Sequence, residues 1–212
     1  MAGTHIHLWS VTENVDELAA LCRDHGIDTG AMPACKAVGR RTEIMVEHLL
    51  LWMIYGKPVE LCHTPQGRPY VPDSDRHLSI THTKGLVCVA VNSSHDVGID
   101  VEKRGRRVLK VRERFLNEIE QQFIRPDDAE ATLVAWTAKE ALYKVAMNPE
   151  ATMRDHFVLD AFEPVPGRVL TFTATSAHRA FVLKTLSIND YILTLAIEQC
   201  DDAAVCGSIE KT

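Results

Sequence analysis

No two cysteines in this chain of 212 residues stand in a C-x-x-C arrangement. The six thiols, Cys22, Cys35, Cys62, Cys88, Cys200 and Cys206, are scattered, which argues against a zinc knuckle and against a disulfide framework. Positive charge is also short. With 23 Lys and Arg against 29 Asp and Glu the formal net charge is −6, so general nucleic-acid binding is not expected. The longest apolar run, Leu49 to Tyr55, falls far short of a membrane span, and Met1 to Ser10 lacks the basic and apolar regions of a secretory signal. A cytoplasmic protein with reduced thiols, not attached to a membrane, is the expectation. Neither G-x-x-x-x-G-K nor G-x-G-x-x-G occurs, so the usual nucleotide-cradling glycine loops are missing. What is present, 46% hydrophobic and 25% charged residues, is ordinary for a folded globular chain.

Periodicity predicts a short strand over Thr4 to Val11 and a helix over Glu13 to Cys22. A longer helix is expected from Ala34 to Tyr55, where Ile44, His48, Leu51, Trp52 and Tyr55 recur at helical spacing and Gly56 supplies a stop. After a turn-rich stretch, strands are predicted at Leu78 to Thr81, Leu86 to Val91 and Val97 to Val101. Asn117 followed by Glu120 reads as a capping box opening a helix that ends before Arg125-Pro126, and Asp127 or Asp128 caps a longer helix reaching Met147. From Phe157 the period becomes two, giving strands at Val169 to Thr175, Ala180 to Ser187 and Tyr191 to Glu198, the last pair a hairpin through Asn189-Asp190. The class is α+β, divided as 1–103 and 104–212.

Three features carry chemistry. In Gly98-Ile99-Asp100-Val101-Glu102 the alternation of a strand sends Ile99 and Val101 to the core and both carboxylates to the other face, about 7 Å apart along the backbone. Such a pair can converge on a hard cation such as Mg2+, or it is an ordinary solvated strand edge. In Trp136-Thr137-Ala138-Lys139-Glu140-Ala141-Leu142-Tyr143-Lys144, helical spacing gathers Trp136, Glu140, Tyr143 and Lys144 on one face. Glu140 and Lys144 at i, i+4 suit an exposed helix, yet a tryptophan is an odd occupant of a solvated stripe. The third is Leu78-Ser79-Ile80-Thr81-His82-Thr83, with Gly67-Arg68-Pro69 upstream. A histidine between two hydroxyls, aided by Arg68, could hold a phosphate, or His82 is structural.

Taken together and in this order, these motifs, with Arg114-Phe115-Leu116-Asn117 between them, resemble those of the 4′-phosphopantetheinyl transferases of the larger, pseudo-dimeric Sfp type. Arg68 stands where that family has lysine, Thr81 and Thr83 where it has serines, and Asn117 where serine is usual. The resemblance implies two similar halves in a pseudo-twofold arrangement, each with helices packed on a small antiparallel sheet. It implies Mg2+-dependent transfer of the phosphopantetheine arm of coenzyme A to a serine of an acyl, peptidyl or aryl carrier protein by a monomer, with release of 3′,5′-ADP. By the same resemblance Asp100, Glu102 and Glu140 hold the metal, Glu140 is the general base, and Lys144 contacts the transferring phosphate. His82 with Thr81 and Thr83, and Arg41 with Thr42, would hold coenzyme A phosphates, with Arg68 and Pro69 towards the adenine. Arg40 stands beside Arg41 as a further candidate cation. Two other classes use some of the same residues: a Mg2+-dependent hydrolase of nucleotide pyrophosphates, and a carrier-binding module without chemistry. The seven basic residues between Lys103 and Arg114 are a solvated segment or, beside the carboxylates, a docking stretch for an acidic carrier.

Overall fold

The computed structural model describes residues 3–165 and 167–199. Its first sheet is antiparallel, with order β1-β5-β4, from β1 (His5–Ser10), β5 (Leu86–Asn92) and β4 (His77–Thr83). Alternate residues of β5 divide its two faces. Val87, Val89 and Val91 pack against helices α1 (Val15–Asp24) and α2 (Val38–Tyr55), while Leu86, Cys88 and Ala90 face the second sheet. That continuous apolar run is therefore a strand buried on both sides, as its sequence predicts. A two-stranded ribbon, β2 (Cys62–His63) and β3 (Pro69–Tyr70), lies in the turn-rich stretch before β4.

The second sheet is also antiparallel, with order β6-β10-β9-β8-β7, from β6 (Val97–Lys103), β10 (Tyr191–Glu198), β9 (Arg179–Ile188), β8 (Leu170–Ser176) and β7 (Val158–Leu159). Ile99, Val101, Leu193 and Leu195 meet the first sheet, and Ile192 and Ala196 meet helix α5 (Ala129–Ala146) on the opposite face. The fold is α+β, with small antiparallel sheets back to back and helices outside. β6, the last strand of the 1–103 span, is hydrogen-bonded to β10 and so completes the second sheet. Beside the first sheet it is held by side chains: the Ile99 amide donates to Ser79 Oγ at 3.0 Å.

Helix α2 begins at Val38, four residues after the expected Ala34, and Ala37 at its N-cap makes no side-chain bond. The capping box at Asn117 and Glu120 forms with both reciprocal bonds at 2.9 Å, but only one turn, α4 (Glu120–Phe123), winds behind it. Glu120 is drawn inward instead. Its Oε2 receives Lys139 Nζ at 2.6 Å and its Oε1 receives the Leu159 amide at 2.9 Å. Lys139 also donates to the Phe115 and Met153 carbonyls. Both side chains of this ion pair are fully buried, which sequence spacing did not suggest. Between Lys103 and β7 the chain further forms a 3-10 turn (Arg107–Lys110) and the short helix α3 (Arg112–Phe115), which Lys139 ties to α5 through the Phe115 carbonyl.

Helix α5 lies directly on β6. A β-carbon on Gly98 would come 1.9 Å from the Ala141 carbonyl oxygen, so the strand and helix approach through a gap that only glycine leaves open. The C-terminal carbonyls of α5 receive guanidinium groups, Val145 from Arg68 and Ala146 from Arg179, which suits the negative end of a helix. Four cysteines among the described residues, Cys22, Cys35, Cys62 and Cys88, are free thiols; Cys200 and Cys206 lie outside the described residues. Among the described residues, no helix is long and apolar enough to cross a membrane.

Breaking the buried pair from one side isolates a charge. Lys139→Met is expected to cost about 3–5 kcal/mol in urea unfolding, and Lys139→Met with Glu120→Gln to recover part of it, because the amide still accepts from Leu159. Equal losses in the single and double variants would show that the pair is not what holds α4 to α5.

Candidate functional site

Asp100 and Glu102 share the face of β6 opposite Ile99 and Val101, as the strand period requires, but that face lies beneath α5 and not in solvent. Asp100 is only 7% exposed. Its Oδ1 accepts from Lys144 Nζ at 2.9 Å and from Thr81 Oγ1 at 3.0 Å, while its Oδ2 is buried with no partner. Lys144 also donates to the Ile99 carbonyl at 2.8 Å. The ammonium thus pairs with Asp100 across to β6, and the helical i, i+4 partnership with Glu140 is not made. Glu102 is half-buried and receives Trp136 Nε1 at 3.3 Å. The tryptophan that seemed misplaced on a polar stripe holds a site carboxylate, and its ring packs edge-on against Phe115 at 5.0 Å.

The carboxylates disturb one another. Burial and the Asp100 charge push Glu140 up to about 7, with Glu102 adding to the rise and Lys144 opposing it. Burial and Asp100 also raise Glu102, against hydrogen bonds from Trp136 and Thr83. Among the described residues no three His, Cys, Asp or Glu side chains stand together in an arrangement that could hold a metal ion. The chemistry of Asp100, Glu102 and Glu140 is nevertheless the kind a hard cation takes: three oxygen-bearing groups in mutual repulsion, one with a buried oxygen that has no hydrogen-bond partner.

Beside them a cleft of about 230 Å³ opens between α2, β4, the β2–β3 ribbon and the C-terminal end of α5. Arg68, Pro69, His82 and Lys144 line it, together with Arg40, Glu47 and Tyr143. His82 Nδ1 lies 3.2 Å from Glu43 Oε2, and Arg40 bridges Glu43 at 3.2 Å and the buried Glu47 at 2.8 Å. Arg68 pairs with Asp96, which also takes His77 Nδ1 at 2.7 Å. Burial alone would raise Asp96, but these partners hold its carboxyl below the usual range. Glu43, Glu47, His77 and Asp96 are not among the residues that the sequence motifs single out; Glu43, His77 and Asp96 meet partners far along the chain, and Glu47 meets Arg40 two turns back on its own helix.

Other candidates fall elsewhere. Arg41 lines a separate hollow with Cys35, Met32 and Met45, and Thr42 donates to the Gly39 carbonyl of its own helix. Thr81 is buried, its hydroxyl committed to Asp100. Of the seven basic residues after Glu102, Lys103 lies over the Tyr191 ring, Arg104 is held by Glu130, Ser187 and the Asn189 carbonyl, and Arg112 is buried against the Ile124 carbonyl. Arg106, Arg107, Lys110 and Arg114 are exposed.

Residues 96–196 match the family model of the 4′-phosphopantetheinyl transferase superfamily, so the likeness read from the motifs extends along the segment that carries the carboxylates. Over 82 residues the chain is 34% identical to the 4′-phosphopantetheinyl transferase gsp of Aneurinibacillus migulanus, a match covering 37% of this chain. The matched stretch spans about a third of that relative's length, 34%.

The raised pKa of Glu140 makes a stability prediction for the metal-free protein. Between the unfolded value of 4.5 and about 7 the folded state keeps a proton that the unfolded chain has lost, so this group's contribution falls as pH rises through that window. Glu140→Gln is expected to melt a few degrees above the parent at pH 8 in EDTA and close to it at about pH 3.5, below the unfolded value, where the carboxyl is largely protonated in both states. A gain of the same size at both pH values would remove burial and Asp100 as its cause.

Proposed function

We propose that this protein transfers the 4′-phosphopantetheine arm of coenzyme A to a serine of an apo acyl, peptidyl or aryl carrier protein, releasing 3′,5′-ADP. The observation that carries the reading is Asp100 with its unsatisfied buried oxygen, set among Glu102 and Glu140 at the side of a cleft lined by Lys144, His82 and Arg68. Asp100, Glu102 and Glu140 would hold Mg2+, which when bound supplies charge neutralisation for a pyrophosphate. The serine oxygen bonds to the phosphorus that bears the pantetheine arm, and the bond from that phosphorus to the leaving 3′,5′-ADP breaks. Glu140 takes the serine proton, directly or through water. Lys144 at the cleft margin would meet the transferring phosphate. Arg68, Pro69 and His82 in the cleft, Thr83 beside Glu102, and Arg41 with Thr42 from the separate hollow at the start of α2 make up the rest of the proposed coenzyme site. The chain would act as a cytoplasmic monomer of two similar pseudo-twofold halves, 1–103 and 104–212, the first lending β6 to the sheet of the second.

Intact-mass analysis of an apo-carrier protein incubated with this protein, coenzyme A and Mg2+ is expected to show one added phosphopantetheine arm, with 3′,5′-ADP released only when the carrier is present. Release without carrier would make it a hydrolase; binding with neither product would make it a non-catalytic module. Asp100→Asn should abolish transfer at saturating Mg2+, and Lys144→Ala should slow it roughly tenfold, the value of one charge contact worth about 1.4 kcal/mol in the transition state.

The exposed cations Arg106, Arg107, Lys110 and Arg114, with Ile119 61% exposed near them in sequence, are the proposed docking surface for an acidic carrier. Replacing Arg106, Arg107 and Lys110 by Ala is expected to raise the KM for the carrier and flatten its salt dependence while leaving the KM for coenzyme A unchanged. Loss of coenzyme A affinity with an unchanged carrier KM would move this stretch to the coenzyme site.

A further inference from the structure

Thr81 lies in the segment whose family likeness makes its hydroxyls coenzyme contacts, yet its own surroundings point elsewhere. It is 4% exposed and does not line the cleft that holds His82, Arg68 and Lys144. A threonine hydroxyl has one proton to give, and Thr81 gives it to Asp100 Oδ1 at 3.0 Å. That bond crosses from β4 of the first sheet to β6 of the second. Two residues back on the same face of β4, Ser79 Oγ accepts the Ile99 amide, so the two hydroxyls stitch adjacent residues of β6.

The consequence lies in the two oxygens of Asp100. Oδ1 is doubly occupied, by Thr81 and Lys144, while Oδ2 is buried and empty. A carboxylate free to turn about its last bond would present either oxygen. With one oxygen held by two donors on different elements, it presents the other. We propose that Thr81 is a positioning residue: from the first half of the chain it fixes the Asp100 carboxylate so that Oδ2 is the oxygen offered to a divalent cation. The inference rests on the reading of Asp100 as a metal ligand and assigns Thr81 to the support of that ligand, not to the coenzyme. Partners of this kind around ligating carboxylates typically change metal affinity about 10- to 100-fold.

The test titrates Mn2+ alone into the intact protein without coenzyme A, reading bound metal by electron paramagnetic resonance, for the parent, Asp100→Asn, Thr81→Val and Thr81→Ser. Parent binding that Asp100→Asn abolishes establishes the ligand. Thr81→Val, which keeps the shape and removes the hydroxyl, is then expected to weaken Mn2+ about tenfold or more, and Thr81→Ser to restore it. At saturating metal the KM for coenzyme A in Thr81→Val should match the parent. Mn2+ affinity within twofold of the parent in Thr81→Val, its melting temperature unchanged, overturns the inference and leaves the metal reading standing; a raised coenzyme A KM with that result returns Thr81 to the coenzyme site. Failure of the parent to bind Mn2+ in a manner that Asp100→Asn abolishes overturns the metal reading, and this inference with it.

Discussion

The Ala141 carbonyl oxygen occupies the space that a side chain at residue 98 would need, and the whole site depends on that contact. Because α5 sits on the backbone of β6, Lys144 reaches Asp100 and the Ile99 carbonyl, and the Trp136 indole reaches Glu102. Raising the helix by the width of a methyl group would lengthen all three bonds at once. The other side of α5 is fixed just as firmly by Lys139, whose ammonium gathers the Phe115 and Met153 carbonyls and Glu120. Adjacent residues, Lys139 and Glu140, therefore serve opposite ends: one holds the helix in place, and the other brings it a charge it would rather not carry.

That charge is balanced in an uneven way. Lys144 supplies one positive charge to a group of three carboxylates, and Glu140 responds by holding its proton up to about neutrality. Around the neighbouring cleft the pattern reverses, since Arg40 and Arg68 each have an acidic partner within ion-pair distance. A phosphate entering there would compete with Glu43, Glu47 and Asp96 for cations already paired. The arrangement keeps buried and half-buried charges compensated without a ligand, at the cost of some attraction for one.

Much of this was readable in the sequence, and the limits have a physical cause. The period of two in Gly98 to Glu102 gave the shared face of Asp100 and Glu102, and the helical period gave the face of Trp136, Glu140 and Lys144. Local periodicity says which way side chains point, not what lies opposite them. The burial of Asp100 under α5 was accordingly invisible, as were the Lys139–Glu120 pair and the Thr81–Asp100 bond. The Asn117–Glu120 spacing announced a cap that does form; what it could not announce was that Lys139 takes the same carboxylate.

β6 is the outer strand of its sheet, and its ladder partner is β10, the last strand among the described residues. On a ribosome, the strand bearing Asp100 and Glu102 emerges long before the one that gives it a register. Until then the nascent first sheet holds it through the Ser79 and Thr81 hydroxyls and the packing of Ile99 and Val101, without a ladder, and α5 has no completed surface to lie on. Pairing of such high sequence separation is slow and comes late. The carboxylates are thus among the earlier residues of the chain to be synthesised and among the last to be set in place, so an unfinished copy carries the chemistry-bearing residues without the geometry that would let them act.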